Sequence, residues 1–252
     1  MLACLAAPAE SGGKSPGVIV IHEAYGLNPQ IRGVAKRYAE KGFVAIAPNL
    51  FSRNSDVMNE KNIESAMRVM WTLPPEKRSD PNVIPELMKT MSETDRKVMQ
   101  IFFLGREQME KQMALDLMNC TDYFKDLDSV NGERLGVTGF CLGGGLTYQV
   151  STMYPFSASV PYYGVNPKPI EAVEKIAGPV LAFYAGEDER INQGIPAVAE
   201  AMVKYKKDFA MKVYKGAQHA FFNEMRPVYN KVVADDAWEL TMQFLNKHLK
   251  MH

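Results

Sequence analysis

Six short apolar runs, at residues 17–21, 43–47, 135–140, 158–162, 179–184 and 211–214, recur along the chain. Segments of helical spacing lie between most of them, and no other feature narrows the possible folds as far. Uninterrupted apolar runs of this length suit strands buried on both faces. Strands joined through helices imply a mostly parallel sheet covered on both sides. Helical spacing is read at residues 30–41 and 193–207, and a last helix near 234–249. The expected fold class is therefore α/β, with functional residues outside the carboxyl ends of the strands. At the start, Met1-Leu2-Ala3-Cys4-Leu5-Ala6-Ala7-Pro8 has no basic flank and too short an apolar part for a signal peptide. It reads as a strand running into a turn at residues 8–13.

Residues 53–109 break the alternation. They are rich in Met, Glu, Lys and Arg, carry Pro74, Pro75, Pro81 and Pro85, and contain no convincing strand. The expectation is a group of short helices inserted over the carboxyl edge of the sheet, leading into a core helix at 112–127. Asp126-Leu127-Asp128-Ser129-Val130-Asn131-Gly132 supplies turn chemistry to end that helix. At 252 residues the chain fits one domain, 1–252, with the insertion inside it.

Charge excludes several partners. Twenty-nine basic and twenty-nine acidic residues cancel, with no long block of either sign. Nucleic acid and acidic membrane surfaces are not expected partners, and no apolar run approaches a membrane span. A small molecule is the expected partner, with the chain a monomer or small homo-oligomer. Three cysteines, Cys4, Cys120 and Cys141, make no disulfide framework and suit a reducing compartment, so a cytosolic location is expected.

Of the three, Cys141 stands apart. In Gly139-Phe140-Cys141-Leu142-Gly143 an apolar run leads into the cysteine, and Gly143-Gly144-Gly145 opens a helix after it. A strand-to-helix turn this sharp strains its central residue and crowds the positions two away, which is why both are glycine. The thiol is then held beside free N–H groups at a helix start, which favour a thiolate. A nucleophile needs a base, and the base an orienting acceptor. The run at 179–184 ends in Glu187-Asp188-Glu189, of which Asp188 is preferred. The run at 211–214 ends in Lys215-Gly216-Ala217-Gln218-His219, placing His219 at the same edge. Nucleophile, acid, histidine is the chain order of α/β-hydrolase sheets.

These segments resemble the dienelactone hydrolase family. The resemblance is carried by Gly-Phe-Cys141-Leu-Gly-Gly, Gly-Glu-Asp188, Gly-Ala-Gln-His219-Ala-Phe-Phe-Asn, Tyr162-Tyr163-Gly164 and His22-Glu23-Ala24-Tyr25-Gly26-Leu27. It covers almost the whole chain apart from the insertion. It implies an α/β-hydrolase fold, a Cys141–His219–Asp188 triad without metal or cofactor, and a Glu23 that pairs with the resting thiol. It further implies an oxyanion hole from the Leu142 and Ala24 N–H groups, and Tyr163 and Asn223 among the substrate-binding residues. Asn223 stands where founding members carry an arginine; Arg226 is the nearest, and Arg53, Arg68, Arg78, Arg96 and Arg106 compete for a second.

Plainer readings weigh against some of these residues. Cys4 and Cys120 are read as ordinary apolar packing. Glu23 could simply cap the helix beginning near Asn28-Pro29. His22-Glu23 opens like a zinc helix motif, but its partner position is Gly26; no Gly-Lys-Ser/Thr follows the glycine cluster, so a phosphate cradle fails too. The expected function is hydrolysis of a lactone or small ester through a thioester acyl-enzyme. A carboxylesterase or thioesterase for neutral substrates and a low-turnover ligand-binding protein are the competing readings.

Overall fold

The computed structural model describes residues 1–9, 13–74, 77 and 82–250. Its strands are β1 (Ala3–Ala6), β2 (Ser15–Ile21), β3 (Val44–Pro48), β4 (Val130–Phe140), β5 (Ala158–Tyr162), β6 (Val180–Ala185) and β7 (Phe209–Tyr214). They form one sheet in the order β1-β3-β2-β4-β5-β6-β7, parallel throughout except for β1, which runs antiparallel to β3. The order reverses between β2 and β4. Ligands of open α/β sheets bind at such a switch point, where loops leave in opposite directions and open a crevice.

Between and after the strands lie α1 (Pro29–Glu40), α2 (Glu60–Trp71), α3 (Val83–Lys89), α4 (Glu93–Met99), α5 (Arg106–Lys125), α6 (Leu142–Ser151), α7 (Glu189–Asn192), α8 (Ile195–Lys204) and α9 (Lys231–Leu249). Side chains alternate across a strand, and β2 shows the consequence. Val18 and Val20 face α1 and α9, whereas Ile19 and Ile21 join α5, α6 and the helices between β3 and α5. All four are buried, and each contributes roughly 1.5–3 kcal/mol of apolar burial. The expected helical insertion thus shares one continuous core with the sheet.

Several boundaries differ from the sequence expectation for identifiable reasons. α5 starts at Arg106 rather than near residue 112, since Arg106–Glu110 and Glu107–Lys111 pairs support its first turns. Asn131-Gly132 does not end a helix in a separate turn. It lies inside β4, where the pairing with β2 jumps from Asn131 to Leu135 at a bulge. A π-helical turn, Gln100–Leu104, joins α4 to α5. Pro75, Arg78 and Pro81 lie outside the described residues.

Two of the inserted helices, α2 and α4, are capped by side chains. The Asn59 side chain accepts from the Asn62 N–H at 3.1 Å and Ser92 from Asp95 at 3.1 Å. Caps of this kind contribute about 1 kcal/mol each. Arg53 closes the base of the insertion onto α5 with two bonds to Asp116, at 2.7 and 3.0 Å, and holds that carboxyl below its usual range.

Candidate active site

β4 delivers Cys141 at the switch point. Its backbone has φ 55° and ψ −111°, a region that a residue with a Cβ adopts only when its surroundings enforce it. The enforcement is visible at Gly143, where a Cβ would lie 2.4 Å from the Ile21 carbonyl oxygen. At Gly139 a Cβ would stand 2.2 Å from the Gly143 carbonyl oxygen. Both glycines are required by close approach of backbone to backbone. Tyr163 and Ala220 also have positive φ, 37° and 66°, so strain gathers around this crevice.

β6 and β7 bring up the next two groups. Asp188 follows β6, is 7% exposed, and accepts a short hydrogen bond from His219 Nδ1. Its neighbours are elsewhere: Glu187 accepts the Gly216 N–H at 3.1 Å and Glu189 is exposed. With Nδ1 on Asp188, the other imidazole nitrogen is left for Cys141, with which His219 also hydrogen-bonds. Burial by itself would lower the His219 pKa. The negative charge available on Cys141 and the Asp188 bond outweigh it and push His219 up to about 10.

The loop after β2 supplies Glu23 and Ala24. Glu23, which the family resemblance pairs with the resting thiol, has its hydrogen bonds on two other side chains. One oxygen accepts from the Tyr163 hydroxyl at 3.1 Å and the other from the Asn223 amide. Burial raises its pKa, while these two donors, His219 and Arg226 pull the other way. Nor does Glu23 cap α1: the Asn28 side chain does so, accepting the Ile31 N–H at 3.2 Å. Asn223, expected to meet substrate, is 2% exposed and sits behind the carboxylate it binds.

One neighbour of the site was given no role in the sequence reading. His22 is completely buried, donates from Nδ1 to the Glu23 carbonyl at 2.7 Å, and accepts the Leu50 N–H on Nε2 at 3.1 Å. Both nitrogens are used, which selects one neutral tautomer. Burial lowers its pKa to about 4. His22 thereby clamps the backbone that carries Glu23 and Ala24 to the start of the insertion. Its place directly after an apolar strand run was the available signal.

Cys141, Leu142, Ala24, Tyr163 and Asp188 line a cleft of about 790 Å³, roofed by Met67, Met70, Phe102, Phe103 and Met109. The N–H groups of Leu142 and Ala24 have no partner among the described residues. The first N–H groups of a helix are in any case unpaired within it. Of the competing arginines in the described residues, only Arg106 reaches this cleft. Arg53 is held by Asp116, Arg96 by the Met88 and Met91 carbonyls, and Arg68 is exposed. Arg226 stacks 3.6 Å from the Tyr25 ring centroid and lies 3.4 Å from Glu64.

A mostly parallel sheet with helices on both faces and a strained strand-to-helix elbow at its switch point defines an α/β-hydrolase. The sequence matches the dienelactone hydrolase family over residues 1–249. A protein of Saccharolobus solfataricus, named a carboxymethylenebutenolidase by inference, is 44% identical over 230 residues, covering 91% of this chain and 88% of its own. A Klebsiella pneumoniae structure, described by inference as a dienelactone hydrolase, superposes with a TM-score of 0.73 at 24% identity, over 97% of this chain and 92% of that one. A dienelactone hydrolase-like promiscuous phosphotriesterase from metagenomic libraries superposes with a TM-score of 0.68 at 20% identity, over 94% of this chain and 88% of that one. The chain therefore belongs to the dienelactone hydrolase family and is a carboxylic ester hydrolase. No helix among the described residues is long and apolar enough to cross a membrane.

Proposed function

We propose that Cys141, His219 and Asp188 hydrolyse a lactone or small carboxylic ester through a thioester acyl-enzyme. The observation that carries the proposal is the placement of His219 between the Asp188 carboxylate and a thiol on a strained elbow. Cys141 attacks the carbonyl carbon after its proton passes to His219, and the C–O π electrons move onto oxygen. The N–H groups of Leu142 and Ala24 hold that oxyanion; such donors contribute roughly 10²–10³ in rate. Collapse breaks the ester C–O bond, and His219 gives its proton to the leaving oxygen. Water, deprotonated by His219, then attacks the thioester, releasing the acid and regenerating the thiol. Asp188 keeps the imidazole in the required tautomer. Glu23 keeps its two oxygens on Tyr163 and Asn223 and stands beside the triad.

The test is Cys141→Ala, which is expected to abolish turnover of 4-nitrophenyl esters while the protein stays folded by circular dichroism. A mass increase matching one acyl group on the wild type during turnover, absent in the variant, would identify the thioester. An unchanged rate in Cys141→Ala would overturn the assignment.

The methionine and phenylalanine roof favours a second reading on substrate, namely uncharged esters, because apolar walls lower the free energy of an apolar acyl group. Comparing dienelactone, a neutral aryl ester and an acyl thioester separates the readings. Preference for the lactone would reject this second one.

A further inference from the structure

The loop that carries Asp188 is closed by the side chain of Asn192, the last residue of α7. Asn192 donates from Nδ2 to the Ala185 carbonyl at 2.8 Å and to the Gly186 carbonyl at 3.2 Å. Its own N–H donates to the Asp188 carbonyl at 2.9 Å, and the Asp188 N–H returns to the Ala185 carbonyl at 3.1 Å. Residues 185–192 therefore form a closed ring of hydrogen bonds around the proposed acid.

Asp188 stands at the N-cap position of α7, where an aspartate ordinarily turns its carboxylate onto the first helical N–H groups. Here it makes no such bond. The Asp188 main-chain carbonyl takes the Ile191 and Asn192 N–H groups instead, at 3.1 and 2.9 Å, and the carboxylate is left for His219. On its other side the loop is fastened to the segment leading to His219. The Gly186 N–H donates to the Tyr214 carbonyl at 2.8 Å and the Glu187 N–H to the Ala217 carbonyl at 3.0 Å. Acid and histidine are thus presented by two segments bonded to each other, and Asn192 closes the first of them.

Stability alone does not call for asparagine at this position. Its Oδ1 is buried without a hydrogen-bond partner among the described residues, an arrangement unfavourable to folding. The reverse amide orientation would be worse, since Oδ1 would then face two carbonyl oxygens. What the amide supplies, and an apolar side chain could not, is a pair of donors at the end of β6. We propose that Asn192 is a positioning residue that fixes the Asp188 carboxylate within reach of His219 by clamping the Ala185 and Gly186 carbonyls. Asn192 itself does not line the catalytic cleft. The inference rests on the catalytic reading above, because it gives Asn192 a part in the reaction only through Asp188.

A double-mutant cycle tests this, read by kcat and KM for 4-nitrophenyl acetate. Asn192→Leu is expected to lower kcat about tenfold with KM near wild type, the size of a small displacement of a catalytic group. Asp188→Ala alone should lower kcat on the order of 10³-fold. With Asp188 already replaced, Asn192→Leu should change kcat by less than about twofold. An equal loss in the two backgrounds, or no loss in the wild type, would overturn the clamp while leaving the catalytic reading intact. A wild-type rate in Asp188→Ala would instead remove the catalytic reading, and the clamp with it. Should Asn192→Leu fail to fold, Asn192→Ser, whose hydroxyl can donate to one carbonyl, takes its place in the cycle. A loss of about threefold in the wild type and none in Asp188→Ala then supports the clamp, and equal effects in both backgrounds reject it.

Discussion

The carboxyl edge of the sheet and the helical roof enclose the same cleft by different physical means. At the edge, positions are set by backbone: a positive-φ elbow, glycines in contact with carbonyls, and His22 clamping the next loop through both ring nitrogens. In the roof, Met67, Met70, Phe102, Phe103 and Met109 present apolar side chains carried by packed helices. Methionine in particular fills irregular space without demanding one geometry. In the proposed reading chemistry resides where the backbone is over-determined, and substrate preference in the apolar side chains of the roof.

The contrast can be broken most directly at His219. Replacing it with alanine is expected to lower kcat for an aryl ester by about 10⁴-fold while leaving the unfolding midpoint almost unchanged. A loss below tenfold would remove the edge from the chemistry. The roof should behave the other way. Met70→Ala, at a site 4% exposed, is expected to cost about 3 kcal/mol of stability in denaturant unfolding and to alter KM more than kcat. A selective collapse of kcat would show that the roof takes part in the reaction itself.

His22 sharpens the comparison because it touches no substrate and yet belongs to the edge. His22→Phe is expected to lower kcat about 100-fold with KM near wild type, the size of one misplaced oxyanion donor. His22→Gln can still donate and accept, so it should recover most of the rate; equal loss in both variants would make the residue a packing element only.

The smallest expected effect is on acid stability. Folded His22 titrates at about 4, below its ordinary value of 6.5, so the unfolded chain takes up the proton first as pH falls. Its contribution is complete above about pH 6.5 and is lost progressively toward pH 4. Between pH 7 and 5 wild type should lose about 2 kcal/mol more than His22→Gln in urea titrations, since one unit corresponds to 1.36 kcal/mol. Parallel pH curves would show that His22 takes up its proton equally readily in both states.

The apolar runs were readable as strands because a strand covered on both faces tolerates little polarity, and Cys141, Asp188 and His219 were readable because each follows such a run. Boundaries depending on longer contacts were not. The start of α5 rests on side-chain pairs one turn apart, and Asn131-Gly132 has turn chemistry that the β2–β4 pairing absorbs into a bulge. Glu23 was legible as a site residue only through the family resemblance. Its actual partners are remote in the chain, 140 residues away at Tyr163 and 200 at Asn223.

Local sequence thus determined the alternation of elements and the elbow, because periodicity and glycine sterics act over a few residues. Only the tertiary structure decided that Tyr163 and Asn223 bind Glu23, and that Arg106 and not Arg53 reaches the cleft. Those outcomes depend on which distant side chains share a buried space, and hydrogen bonds and ion pairs are assigned there by proximity after the chain has closed on itself.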